Sequence, residues 1–340
     1  AARRHLPRSL FAYVSGGVER NVSRDGNRTA FDGLRFRPRV LVDTTGRTSA
    51  TTVFGRTYCA PFGIAPMGAA GLIGYRADLA LARAARAAEV PFILSGSSLV
   101  PMERIVAENP DAWYQGYLAG ERDHIAALIE RVDAAGFRTL VITADVPVPG
   151  NRENNVRAGF STPLTPSLGL ALDGIMHPRW LLGTALRTLS TDGMPHFENL
   201  AAARGVPLLS SVAQRAHVRD RLNWSDLAWL RERWRGQLVV KGILAPEDAI
   251  IAREMGIDGV IVSNHGGRQL DGAVSPLNAL PGIAAAAGSM TIMMDSGIRR
   301  GTDVLKALAM GADFVFAGRP FLYAAALGQQ DGVAHAIGLL

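Results

Sequence analysis

Four consecutive residues, His265-Gly266-Gly267-Arg268, follow the apolar run Gly259-Val260-Ile261-Val262 and the pair Ser263-Asn264. A histidine exchanges a proton near neutral pH, and an arginine holds a carboxylate through two parallel hydrogen bonds. The glycines let the backbone turn sharply and lie close to a flat ligand. A second constellation, Asp295-Ser296-Gly297-Ile298-Arg299-Arg300-Gly301, is followed by Gly318-Arg319-Pro320. Turns rich in glycine and arginine suit a phosphate. The two sets together predict a base, a carboxylate clamp and a phosphate cradle in one enzyme.

Short apolar runs must position these groups. They fall at Phe62–Pro66, Phe92–Ser95, Trp113–Tyr117, Thr139–Thr143, Leu238–Lys241, Gly259–Ser263, Thr291–Asp295 and Phe314–Gly318. Alanine-rich stretches with helix-starting residues such as Ser225, Pro246 and Ser275-Pro276 separate them. Eight strands, each followed by a helix, predict an α/β fold of a single (β/α)8 barrel, in which chemistry sits at the C-terminal strand ends. Gln115, Tyr117, Thr143, Asp145, Lys241, Ser263, His265, Asp295 and Arg319 occupy such ends. A doubly wound open sheet is the alternative, but the early glycine fingerprint it normally carries is missing.

The 340 residues, 48% hydrophobic and 19% charged, are expected to form one domain over 1–340. Residues 161–222 break the rhythm as an inserted lid or surface segment after the fourth strand. The net charge of +6 comes from scattered arginines, so no nucleic-acid partner is expected. The single cysteine, Cys59, excludes an internal disulfide and is expected to be a packed thiol, consistent with a cytoplasmic location. No apolar run is long enough to cross a membrane. No histidine and cysteine cluster has metal-ligand spacing. Gly338-Leu339-Leu340 reads as the middle of a helix, so the native chain is expected to continue.

The motif from Ser263 to Asp271, with Leu6-Pro7-Arg8, Pro38-Arg39-Val40-Leu41, Thr143-Ala144-Asp145 and Val240-Lys241-Gly242, resembles the FMN-dependent α-hydroxy-acid oxidising family over essentially the whole chain. Leu172 to Trp180 and Asp192-Gly193-Met194-Pro195 lean toward its mandelate dehydrogenases. The resemblance implies FMN as cofactor and oxidation of an (S)-2-hydroxy acid to the keto acid, with oxygen or a quinone as electron acceptor. It implies His265 as base, Asp145 as its partner, and Arg268 and Tyr13 on the substrate carboxylate. Tyr117 is implied near the α-hydroxyl, Arg152 on the polar side of the pocket, and Lys241 beside the flavin. Met67, Gly68, Ser95, Gln115, Thr143 and Ser263 would line the flavin. Asp295, Gly297, Arg299, Gly318 and Arg319 would cradle its phosphate. A homo-oligomer, often a tetramer in the family, is also implied.

Departures from the family pattern shape the expected substrate. Met67 stands where threonine is usual, and Gly68 where oxidases often carry alanine. Ser97 stands in place of a tryptophan, and Asn155 and Ala158 replace an aspartate and an asparagine. Loss of bulk at Gly68 and Ser97 is expected to make room for an aromatic or bulky acid such as mandelate, with lactate still possible. The basic-aromatic piece His177-Pro178-Arg179-Trp180 and its apolar neighbours could touch a lipid interface through 161–210, placing the protein on the inner face of the membrane. The competing expectation is a lid packed on the barrel. An FMN-dependent isomerase and an enzyme acting on a peptide-borne substrate are the alternative activities. His5, His124, His177, His196, His217 and His335 lack a supporting constellation and read as structural or surface residues.

Overall fold

The computed structural model describes residues 1–161, 164–209 and 221–340; His217 lies outside them. The eight runs form parallel strands β1 (Phe62–Ile64), β2 (Ile93–Ser95), β3 (Trp113–Gly116), β4 (Thr139–Thr143), β5 (Gln237–Ile243), β6 (Gly259–Val262), β7 (Thr291–Met294) and β8 (Phe314–Ala317). Neighbours in sequence pair from β2 to β8, β8 pairs with β1, and a bridge from Ile64 to Phe92 closes the ring. A helix follows each strand, the last running from Arg319 to Leu339 with a break at Gly328 and Gln329. The (β/α)8 barrel expected from the sequence is the fold.

The strands read as continuous apolar runs because both of their faces are buried. In β6, Ile261 joins Ile93, Trp113, Val141, Phe314 and Phe316 inside the barrel, while Val260 and Val262 pack under the helices. A hairpin of Thr51–Val53 and Arg56–Tyr58 seals the N-terminal mouth. Phe54 meets Trp113 at 5.5 Å, and Tyr58 meets Phe314 at 5.9 Å. With that end filled by rings, the opposite end is left for polar side chains.

The N-terminal helices Arg8–Ser15 and Val22–Asp32 dock at that opposite end against the loop that follows β6. Asn27 and Asn264 are both buried and exchange a reciprocal amide pair, each Nδ2 donating to the other's Oδ1 at 2.7 Å. Asp271 accepts the N–H groups of Arg20 at 3.0 Å and Ser23 at 2.9 Å. The approach is close: at Gly267, with φ +70°, a Cβ would sit 2.3 Å from the backbone nitrogen of Arg24. Much of the 263–271 motif therefore holds the N-terminus in place.

The described part of the insertion packs on its own barrel. It contains helices Leu168–Ile175, Pro178–Trp180 and Arg187–Thr191, with a wider helical turn over Leu181–Leu186. Trp180 Nε1 donates to the Leu72 carbonyl at 2.8 Å, Asp173 accepts the N–H groups of Arg8 and Ser9, and Arg76 pairs with Asp192. Beyond these helices, Asn199 accepts the Met102 N–H at 2.8 Å and the Tyr114 hydroxyl at 2.6 Å. Cys59 departs from expectation. It is exposed, and its thiol donates to Glu89 Oε2 at 3.0 Å, because the chain reaches β1 only at Phe62. That hydrogen bond raises the thiol pKa, which lowers its thiolate fraction.

Replacing Asn27 by Ala removes two buried hydrogen bonds and leaves the Asn264 amide short of partners. The expected cost is about 2–3 kcal/mol, read as a lowered apparent melting temperature. An unchanged melting temperature would show that this pair does not anchor the helix.

Candidate active site

One cavity of about 580 Å³ opens at the C-terminal end of the strands. It collects residues far apart in sequence: Tyr13 from the first docked helix, Gln115 from β3, Thr143 from β4, Lys241 from β5, and the loops after β6, β7 and β8. Of the expected site residues, Met67, Gly68, Tyr117, Arg152, His265, Arg268, Asp295, Gly297, Arg299, Gly318 and Arg319 also lie in its wall. Ser95, Asp145 and Ser263 stand behind the wall and act on groups within it. Ser95 donates to Gln115 Oε1 at 3.1 Å, and Ser263 Oγ accepts from Lys241 Nζ at 2.8 Å and from the His265 N–H at 3.0 Å.

His265 sits at φ +58°, a left-handed conformation uncommon for a residue other than glycine. Its Nδ1 is 3.0 Å from Asp145 Oδ1. Burial alone would raise the Asp145 carboxyl, but His265 and Lys241 outweigh it and hold it below its ordinary range. An ionised carboxylate only accepts, so Nδ1 is the donor and Nε2 of the neutral ring carries the lone pair. Burial lowers the His265 pKa despite the pull of Asp145. Gly242, at φ +108°, allows the pair to form beside β5: a Cβ there would meet Asp145 Cβ at 2.6 Å. The β5–β6 register shifts at the same place, between Lys241 and Ile243.

Arg268 is a cation with no acid of its own among the described residues. Its Nη1 donates to the carbonyls of Tyr13 at 2.6 Å and Gly16 at 3.1 Å. That leaves the Nε–Nη2 edge, the fork that fits a carboxylate. Burial, then the neighbouring Arg152, pull its pKa down to about 9, which an incoming anion would relieve. Arg152 braces the same loop through Gln269 Oε1 at 2.8 Å. The Tyr13 hydroxyl donates to the Gly68 carbonyl at 3.0 Å, and the Tyr13 ring packs on Phe160 at 4.7 Å.

Arg299 and Arg319 line the other end, and among the described residues neither forms an ion pair with a carboxylate. Arg319 gives three hydrogen bonds to the carbonyls of Val14, Gly16 and Gly266; Arg299 gives one, to Ile298. Burial, then the nearby Arg299, bring the Arg319 pKa down to about 10. Two half-buried guanidiniums with spare donors can accept an anion.

The Asp295 side chain is engaged within the protein: its Oδ2 is 3.2 Å from Lys241 Nζ, and its Oδ1 accepts from the Ser296 hydroxyl at 2.8 Å. A carboxylate so placed cannot also meet a phosphate, which carries the same charge. At Gly68, a Cβ would lie 3.0 Å from Ser97 Cβ, and both residues line the cavity. Sequence reasoning missed Val146, Val156, Leu164, Phe197 and Leu208, which line the apolar part of the cavity. They carry no periodic or motif signal. Asn27 was equally silent.

An α/β barrel whose strand ends gather an aspartate-paired histidine and arginines without carboxylate partners among the described residues suits an enzyme acting on small anionic molecules. The chain belongs to the FMN-dependent dehydrogenase family, whose model matches residues 2–340. It is 41% identical over 346 positions to an L-lactate dehydrogenase of Xanthomonas campestris pv. campestris (strain B100), covering 100% of this chain and 88% of that protein. An L-lactate dehydrogenase of Pectobacterium atrosepticum is 39% identical over 348 positions, with the same coverage. Among solved structures, a monotopic membrane protein, (S)-mandelate dehydrogenase, superposes with TM-score 0.91 at 37% identity, over 99% of this chain and 89% of that one. A mandelate oxidase gives TM-score 0.82 at 35% identity, over 100% and 88%. The protein is thus an FMN-dependent enzyme that oxidises 2-hydroxy acids.

The cavity fits that cofactor on its own evidence. Gln115 Nε2 is buried with no partner among the described residues, while Ser95 fixes the other end of the amide. Such a donor calls for a bound acceptor. The isolated guanidiniums call for an anion. Arg299→Met is expected to weaken FMN binding about ten- to a hundredfold by removing a charged hydrogen bond, with riboflavin binding unchanged. Titration of the apoprotein with both flavins measures this, and equal losses would remove Arg299 from the phosphate site.

Proposed function

We propose that the enzyme oxidises an (S)-2-hydroxy acid with His265 as the base, its side chain large or aromatic by preference and lactate accepted. The observation that carries this reading is one cavity holding both an aspartate-tethered histidine and a guanidinium with its fork unused. The Arg268 fork takes the substrate carboxylate, and Tyr13 and Arg152 keep that arginine in position. Tyr117 lies near the α-hydroxyl. His265 Nε2 accepts a proton from the substrate, and Asp145 offsets the charge that the imidazole gains. Lys241 faces the flavin where negative charge builds up. Bound FMN supplies the acceptor for the two electrons. Val146, Val156, Leu164, Phe197 and Leu208 offer the apolar contact that a large side chain needs.

His265→Ala is expected to retain FMN yet lower the rate of anaerobic flavin bleaching by roughly 10²–10⁴-fold. In the wild-type enzyme the base form must already dominate below the ordinary histidine value of 6.5, since burial lowers the pKa. kcat/KM should therefore be level above that pH and fall only as pH drops through a lower value. Asp145→Asn removes an influence that raises the pKa, so it should move this acid limb further down while lowering the plateau. An acid limb above 6.5 would contradict His265 as the base.

The same reading extends to a lipid surface that would give access to a quinone. Leu168 and Met176 are each 77% exposed and Leu182 is 65% exposed, beside Arg179 and Arg187. This apolar face with basic neighbours suits peripheral contact with anionic lipid. Wild-type protein should sediment with phosphatidylglycerol vesicles, and the double substitution Leu168→Glu, Met176→Glu should abolish this without loss of FMN. Equal sedimentation of both proteins would refute the contact.

A further inference from the structure

Lys241 is buried at the end of the barrel between two acids with different commitments. Asp145 is tied to His265 at 3.0 Å. Asp295 is tied to the lysine itself, Oδ2 to Nζ at 3.2 Å. A short hydrogen-bonded chain fixes it there: the Gly266 N–H donates to Ser296 Oγ at 2.9 Å, and the Ser296 hydroxyl donates to Asp295 Oδ1 at 2.8 Å. The histidine loop thus holds Asp295 against Lys241. Proton transfer does not use Asp295, and the phosphate cannot. Its carboxylate lies in the cavity wall next to the lysine.

We infer that Asp295 is a positioning and charge-balancing residue that, through Lys241, holds the reduction potential of the bound flavin below the value an uncompensated lysine would give. The inference rests on the proposed placement of Lys241 beside the flavin. A flavin gains negative charge on reduction, so a nearby cation favours the reduced form. A carboxylate hydrogen-bonded to that cation takes back part of the effect, and at a buried site little solvent screens either charge. The balance between lysine and aspartate then sets how readily the flavin accepts electrons. Ser296 adjusts the balance by sharing the charge of the carboxylate.

The test is the midpoint potential of purified holoenzyme, equilibrated with a reference dye. Asp295→Asn should shift it positive by about tenfold in the reduction equilibrium, which is about 30 mV for a two-electron couple. Asp295→Glu, which restores the charge, should return it toward the wild-type value. Ser296→Ala should shift it negative, since the carboxylate then faces Lys241 with its charge unshared. Lys241→Met should lower the potential. If it does and Asp295→Asn with flavin bound moves nothing or moves it negative, the role of Asp295 is overturned and the lysine placement stands. If Lys241→Met leaves the potential unchanged, the lysine placement is overturned, and the inference with it. Should Asp295→Asn fail to keep its flavin, Ser296→Ala decides: a negative shift supports the inference, and no shift or a positive one overturns it.

Discussion

A buried lysine imposes the strongest constraint in this structure. Taking an ammonium out of water is costly unless other groups solvate it fully. Lys241 meets that demand with Ser263 at 2.8 Å, Asp295 at 3.2 Å and Asp145 close by. Burial would lower its pKa, but the two carboxylates outweigh this and raise it, so the lysine stays charged. Each group that serves the lysine also has a second task. Ser263 receives the His265 N–H, Asp145 receives the His265 ring, and Asp295 is held by the loop that runs into the phosphate corner. One buried cation thereby couples the ends of three strands.

The two guanidiniums pose the opposite problem. Arg268, through Nη1 alone, and Arg319, through Nε and Nη2, donate to backbone carbonyls, and neither has a carboxylate partner among the described residues. Carbonyls satisfy hydrogens but leave most of the charge standing, and the depressed pKa values record the cost. Some stability is therefore held back in favour of anion binding. Arg319 also links the N-terminal segment to the loop after β6 through Val14, Gly16 and Gly266. The Arg319 end and the Arg268 end of the cavity thus share a support in the Gly16 carbonyl.

Packing accounts for several small residues around the site. Gly267 lets the helix at Arg24 approach, Gly242 makes space for Asp145, and Gly68 makes space for Ser97. In each case the glycine is there because another part of the chain occupies the volume.

The sequence by itself determined the barrel, the order of its strands and the end at which polar groups gather. These follow from local signals: apolar runs buried on both faces, helix-starting residues, and polar residues at the strand ends. His265, Arg268, Asp145 and Lys241 were legible as a set because they fall at strand ends or within a dense motif. The partnership of Asp295 with Lys241, the Asn27–Asn264 pair 237 residues apart in the chain, the exposure of Cys59 and the apolar wall of the cavity were not legible. Only the tertiary structure decided those. They depend on which side chains meet across β5, β6 and β7 or between the N-terminus and the β6 loop, and contacts of that range leave no periodic trace in the sequence.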